Sequence, residues 1–190
     1  AREIYKEFIE IKSGFTTGAT TPVAEAARRY LKAAGFPDSD IFVGGAIPTK
    51  ANLVVRYHGT GQRKPILLLA HTDVVEAKRE DWTRDPFKLV EENGNFYARG
   101  AADDKSEAAI WTDLFIRLKA EHYVPHRPLK LALTCGEEGG GQLNGAQWLT
   151  KDHRELLDAE FALNEGAGGE LDAEGHRVAL EVEAAEKLPV

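Results

Sequence analysis

The 190-residue chain is 43% hydrophobic, enough to bury one compact core, and its composition excludes collagen, disorder and a disulfide-stapled scaffold. A formal charge of −7 argues against nucleic acid as a partner, since phosphate recognition needs clustered Lys and Arg. The single cysteine, Cys135, leaves no internal disulfide and no thiolate cage, so any metal must be held by oxygen and nitrogen.

No apolar run approaches the roughly 18 to 20 residues needed to cross a bilayer, and no charged-then-apolar leader opens the chain. The reading therefore expects no membrane contact and assigns no compartment. The chain begins at Ala1 and contains no Met, so either an initiator was removed or the sequence is part of a longer one.

In residues 2–12, Ile4, Tyr5, Phe8, Ile9 and Ile11 recur near helical spacing and predict a first amphipathic helix. Thr20, Thr21 and Pro22 form a helix start, followed by Val23, Ala26, Ala27, Tyr30 and Leu31 until Gly35 stops the pattern. Two strands follow, NLVVRYHG (52–59) and the continuously apolar PILLLA (65–70). Asn93-Gly94 inside residues 88–100 signals a hairpin, and a helix is expected from about Asp104 to Glu121. RPLKLALTC (127–135) reads as a buried strand, 144–151 as a helix, 159–165 as a strand and 177–186 as a last strand-like run. Strands alternating with helices predict an α/β three-layer sandwich around a mixed, largely parallel sheet.

Four acidic or histidine clusters are read as lying just past the carboxyl ends of strands, where open α/β sheets bind ligands. The first is Ala70-His71-Thr72-Asp73. A histidine can bind metal through one ring nitrogen while a carboxylate fixes the other, although the same pattern also serves as a hydrogen-bonded loop. In Arg99-Gly100-Ala101-Ala102-Asp103-Asp104-Lys105, adjacent carboxylates can cap a helix or bridge two cations. The glycine and small residues before them suggest backbone threaded through a tight space. Cys135-Gly136-Glu137-Glu138-Gly139 puts two glutamates at the end of an apolar strand, costly without a compensating cation or proton. A phosphate loop fits poorly there, because no Lys-Ser or Lys-Thr follows. Leu163-Asn164-Glu165-Gly166 alone would pass as a turn. His122, His126, His153 and His176 are expected on the surface, His58 to be structural, and Cys135 to be a buried, unreactive thiol.

Taken in order, H-x-D, D-D-K, E-E-G-G and N-E-G form a specific signal. Through AHTDVV, DWTRDPF, ARGAADDK, LALTCGEE and FALNEG, the chain resembles the acetylornithine deacetylase, succinyl-diaminopimelate desuccinylase and glutamate carboxypeptidase family of co-catalytic zinc hydrolases. The resemblance implies a metallopeptidase or amidohydrolase that cuts the amide bond of a dipeptide, a peptide C-terminus or an N-acyl amino acid with a metal-activated water. It implies two Zn2+ ions: His71, Asp103 and Glu165 for one, and Asp103, as the bridge, with Glu138 for the other. Asp73 would orient His71, Glu137 would act as general base, and the Asp103–Asp104 peptide would be cis. The family takes a further histidine for the second zinc from near the end of a longer chain, and no candidate for it is found here, so that ion should bind more weakly. Residues 1–190 would form the first part of a catalytic domain, without the inserted lid, through which the full-length protein could dimerise, and without the C-terminal part. The fragment alone is expected to turn over poorly or not at all. A non-catalytic binding remnant and a two-metal phosphoesterase are the rival readings. Glu137, which would bind no metal, speaks against the first, and the scarcity of basic residues near the acidic loops against the second.

Overall fold

The computed structural model describes residues 1–139, 143–166 and 168–180. Helix α1 (Arg2–Glu10) turns Ile4, Phe8 and Ile9 inward, as their spacing requires. Helix α2 (Thr21–Ala33) has Pro22 in its first turn, where the missing N–H costs nothing. It ends at Gly35, whose φ of 93° suits a residue without a Cβ. Strands β1 (Ile41–Gly44), β2 (Asn52–Tyr57) and β3 (Ile66–His71) follow. β4 (Val90–Glu92) and β5 (Asn95–Tyr97) form the expected hairpin, with positive φ at both Asn93 and Gly94. After it come helix α3 (Lys105–Ala120), strand β6 (Leu129–Thr134) and helix α4 (Gly145–Asp152), capped by the Asn144 side chain accepting from the Gln147 N–H. Short α5 (Arg154–Leu157), β7 (Phe161–Leu163), β8 (Gly169–Leu171) and β9 (Arg177–Leu180) complete the described chain.

The main sheet has the order β1-β2-β6-β3-β7. β1 and β6 run antiparallel to β2, while β3 runs parallel to both β6 and β7, so the mixed sheet is parallel on one side of β6. Alternation along the central strands divides the core between the two faces. Leu53 and Val55 of β2, Leu68 and Ala70 of β3, and Leu131 and Leu133 of β6 pack with α1, α2 and α3. Val54, Leu67 and Ala132 point the other way and meet Leu149 of α4 and Leu156 and Leu157 of α5. The result is the expected three-layer sandwich.

The structure adds β1, α5 and β8 to the expected elements and shortens another. β1 was not foreseen, because a four-residue strand ending in glycine carries too little pattern. The strand expected over 159–165 is confined to Phe161–Leu163, and all three residues are exposed. Of the run 177–186, Arg177–Leu180 is strand and the rest lies outside the described residues. Among the described residues, no helix is long and apolar enough to cross a membrane.

Candidate functional site

The three parallel strands deliver their carboxyl ends to one edge of the sheet. His71 is the last residue of β3 and lies opposite Thr134, the last of β6, so the segment from Cys135 to Gly139 emerges beside it. β7 pairs Leu163 with Leu68, and Asn164-Glu165 continue from there towards His71. Asp103 and Asp104 reach the same edge at the start of α3, joined by a cis peptide bond. Two glycines make these approaches possible. At Gly100 (φ 78°) a Cβ would lie 2.7 Å from Val74 Cγ1, and at Gly136 (φ 76°) 2.2 Å from the Leu143 carbonyl oxygen.

His71 is 3% exposed and uses both ring nitrogens. Nε2 lies 2.8 Å from Asp103 Oδ1, 3.5 Å from Glu165 Oε1 and 4.0 Å from Glu137 Oε2. Nδ1 is 2.9 Å from the Asp73 backbone carbonyl, which therefore takes its hydrogen bond, while the Asp73 carboxylate acts on the ring by charge from 3.7 Å. That fully buried carboxylate also accepts from backbone, Oδ1 from the Glu137 N–H at 3.2 Å and Oδ2 from the Glu138 N–H at 3.1 Å. Asp73 thus ties the histidine strand to the glutamate loop, a link that the H-x-D spacing alone did not reveal.

The donor atoms of His71, Asp103 and Glu138 lie within 4.8 Å of one another, and so do those of His71, Asp104 and Glu165. Every residue singled out from the sequence as a ligand therefore reaches the His71 neighbourhood. The second group contains an aspartate to which the sequence reading gave no role. Asp104 is 3% exposed and its Oδ2 accepts the His71 backbone N–H at 3.3 Å. Its neighbour Asp103 turns outward, with 65% of its side chain exposed. Glu107, one helical turn further on, also stands close to Asp104 and accepts from the Trp111 indole. Its i,i+3 spacing from Asp104 was the available signal.

Crowding of acidic groups is visible in their proton affinities. Burial disfavours the His71 cation, but Asp73, then Glu165 and Asp103, overcome it and lift the imidazole to about 10. Burial, then the charge of Glu107, pushes Asp104 up to about 8. Burial also raises Glu138 and Glu165, with the Asp103 charge adding to both. Among the described residues, no Lys or Arg forms an ion pair with Asp103, Glu137 or Glu165. One imidazole facing several carboxylates that lack a cationic partner is the donor set expected of a divalent cation held by nitrogen and oxygen. The remaining histidines stand apart from this site. His58 pairs with Asp40, and His122, His126 and His176 are exposed. His153 is half-buried against Phe42 and Trp148, so it packs α4 rather than lying on the surface. Cys135 is buried as expected, and burial raises its thiol to about 11.

An α/β sheet with a histidine–carboxylate cluster suited to divalent cations at the ends of its parallel strands defines the class of this protein. The chain belongs to peptidase family M20/M25/M40, which residues 67–185 match. Aminoacylase-1 of Mus musculus is 34% identical over 158 residues, 82% of this chain and 37% of that protein. A probable succinyl-diaminopimelate desuccinylase of Staphylococcus aureus is 38% identical over 91 residues, 47% of this chain and 22% of that one. Among solved structures, an M20 family metallo-carboxypeptidase of Sulfolobus solfataricus superposes with a TM-score of 0.66 at 25% identity, covering 92% of this chain and 38% of its own. The chain thus spans well under half the length of each of these three proteins.

Proposed function

We propose that this chain carries the metal-binding and proton-transfer groups of a hydrolase that cleaves the amide bond of a dipeptide, a peptide C-terminus or an N-acyl amino acid, with zinc as its metal. The observation that carries the proposal is the convergence of Asp103, Glu165 and Glu137 on His71 Nε2, within 4.0 Å. Relatives named aminoacylase, desuccinylase and metallo-carboxypeptidase support an acyl–nitrogen bond as the target.

In this reading His71, Asp103 and Glu165 would hold one zinc, and Asp103 and Glu138 a second. Asp103 is preferred to Asp104 as the shared ligand because it faces outward, whereas Asp104 is already engaged by the His71 N–H. Bound zinc supplies Lewis acidity towards the substrate carbonyl and lowers the pKa of water to about 7. Glu137 is the proton carrier. Its side chain is 52% exposed, so Oε2 can reach an incoming water, take a proton and return it to the leaving nitrogen. Its backbone N–H on Asp73 fixes where that carboxylate starts. Asp73 positions both His71 and Glu137.

Residues 1–190 are read as part of a catalytic domain. A lid that can serve for dimerisation, and a further histidine for the second zinc, would be supplied by a longer chain. The second zinc should accordingly bind more weakly here, and this chain alone should turn over poorly. Small peptides or N-acyl amino acids are the proposed partners, with no role for nucleic acid or membrane.

Zinc titration by calorimetry tests the proposal. The metal-free chain should take up one or two ions, Asp103→Ala should abolish uptake, and Glu137→Ala should preserve it. A folded parent that takes up no zinc, or a Glu137→Ala variant as deficient as Asp103→Ala, would overturn it.

A further inference from the structure

The segment Ser13 to Gly18 lies outside the four motifs at the strand ends, yet two charged side chains are committed to it. Glu76, three residues past Asp73, accepts from the Thr16 N–H (2.6 Å), the Thr17 N–H (3.0 Å) and both threonine hydroxyls (2.7 and 2.6 Å). Lys50, only 4% exposed, donates to the carbonyls of Gly14 (3.2 Å), Phe15 (2.6 Å) and Gly18 (3.1 Å). The loop's donors are thus collected by a carboxylate and its acceptors by an ammonium group. Holding a six-residue loop this way offsets much of the roughly 1–2 kcal/mol per residue that ordering its backbone costs.

This clamp presents Phe15. Its N–H donates to the Val74 carbonyl at 3.2 Å, and its ring lies 5.4 Å from Lys50 Nζ. The ring also packs against Gly139, where an added Cβ would fall 1.7 Å from Phe15 Cε2. Gly139 directly follows Glu137-Glu138, whose N–H groups are gripped by Asp73.

We infer that Phe15 is a positioning residue for the Glu137-Glu138 loop, pressing it onto Asp73, and that Glu76 and Lys50 hold Phe15 against that loop. The inference rests on the reading of Glu138 as a metal ligand, and it adds a packing contact from outside the family's motifs. Truncating the ring would free the glycine end of the loop, so that the Glu138 carboxylate must be ordered when metal binds. Losses of about tenfold to a hundredfold in metal affinity are typical when such a supporting contact is removed.

The test measures amide hydrogen exchange at Glu137 and Glu138 in the metal-free chain, and zinc affinity by calorimetry, for the parent, Phe15→Ala, Phe15→Leu and Glu138→Ala. Phe15→Ala should speed exchange at both amides about tenfold or more and weaken zinc binding by about tenfold or more, with Phe15→Leu recovering most of both. Exchange in Phe15→Ala equal to the parent's overturns the inference, whether or not zinc binds. Faster exchange with zinc affinity unchanged, while Glu138→Ala does weaken it, also overturns it and leaves the proposed metal site standing. A parent that takes up no zinc defeats the metal reading, and the exchange rates still decide whether Phe15 holds the loop.

Discussion

Asp73 offers the sharpest test of how this site is built, because one buried carboxylate serves three neighbours. Replacing it with Asn keeps the shape, removes the charge, and turns one acceptor oxygen into an NH2 group facing the N–H of either Glu137 or Glu138. A hydrogen bond to a charged group contributes about 1.5–3 kcal/mol net, and the donor left facing another donor in a buried place costs a similar amount. The attraction across 3.7 Å to the His71 imidazolium is lost as well. A loss of about 3 kcal/mol is therefore expected for the metal-free chain at neutral pH, lowering Tm by roughly 6–12 °C for a domain of this size. Zinc affinity should fall by about tenfold to a hundredfold, since the variant disturbs both His71 and the Glu138 backbone. Thermal melts of the metal-free chain with parallel calorimetry would measure both. A Tm within about 1 °C of the parent's, together with zinc affinity within about twofold, would refute the argument that Asp73 joins the histidine strand to the glutamate loop.

Two pH experiments follow from other groups. Burial opposes ionisation of Glu76, but its hydrogen bonds from Thr17 and Thr16 hold the carboxyl down to about 2, below its ordinary 4.5. Its stabilising effect is thus fully present above pH 4.5 and is lost as pH falls through 2. Glu76→Gln should cost on the order of 1–2 kcal/mol at neutral pH after solvent screening, and urea melts should show this difference from the parent shrinking through that window. His71 behaves in the opposite sense: with its folded value raised to about 10, its contribution to the metal-free chain is complete below 6.5 and is lost as pH rises through 10. At about pH 7.5 the imidazole is protonated and Asp104 largely so, and zinc uptake should release about one proton or more from the site. Calorimetry in two buffers of different ionisation enthalpy should detect proton release, and an enthalpy independent of buffer would show that His71 is already neutral in the metal-free chain.

Much of the site could be read along the chain because its parts are short and local. An apolar strand running into His71-Thr72-Asp73 or Cys135-Gly136-Glu137-Glu138 marks both the strand and the candidate residues at its end. Neither needs a partner to be recognised, since periodicity and turn residues act over a few positions. β1 escaped notice for the converse reason: Ile41–Gly44 is a strand chiefly because Leu53, Val54 and Val55 offer it an edge to pair with. Its Ile41-Phe42-Val43 run is strand-like in composition but too short to mark a strand without that partner.

What only the tertiary structure decided is which distant groups satisfy one another. Asp73 stands two residues from His71 and acts on its ring by charge, and its carboxylate also accepts from backbone 64 and 65 positions later. Glu76 and Lys50 belong to no sequence motif, yet they close on a loop some 60 and 32 to 36 positions away. Asp104 and Asp103 are adjacent and chemically identical, and only the packing of α3 against the sheet turned one inward to His71 and the other outward. Local sequence determined where strands end and which ligand types stand there. The pairing of buried charges and donors was decided across the fold, because each must find a partner in space once water is removed.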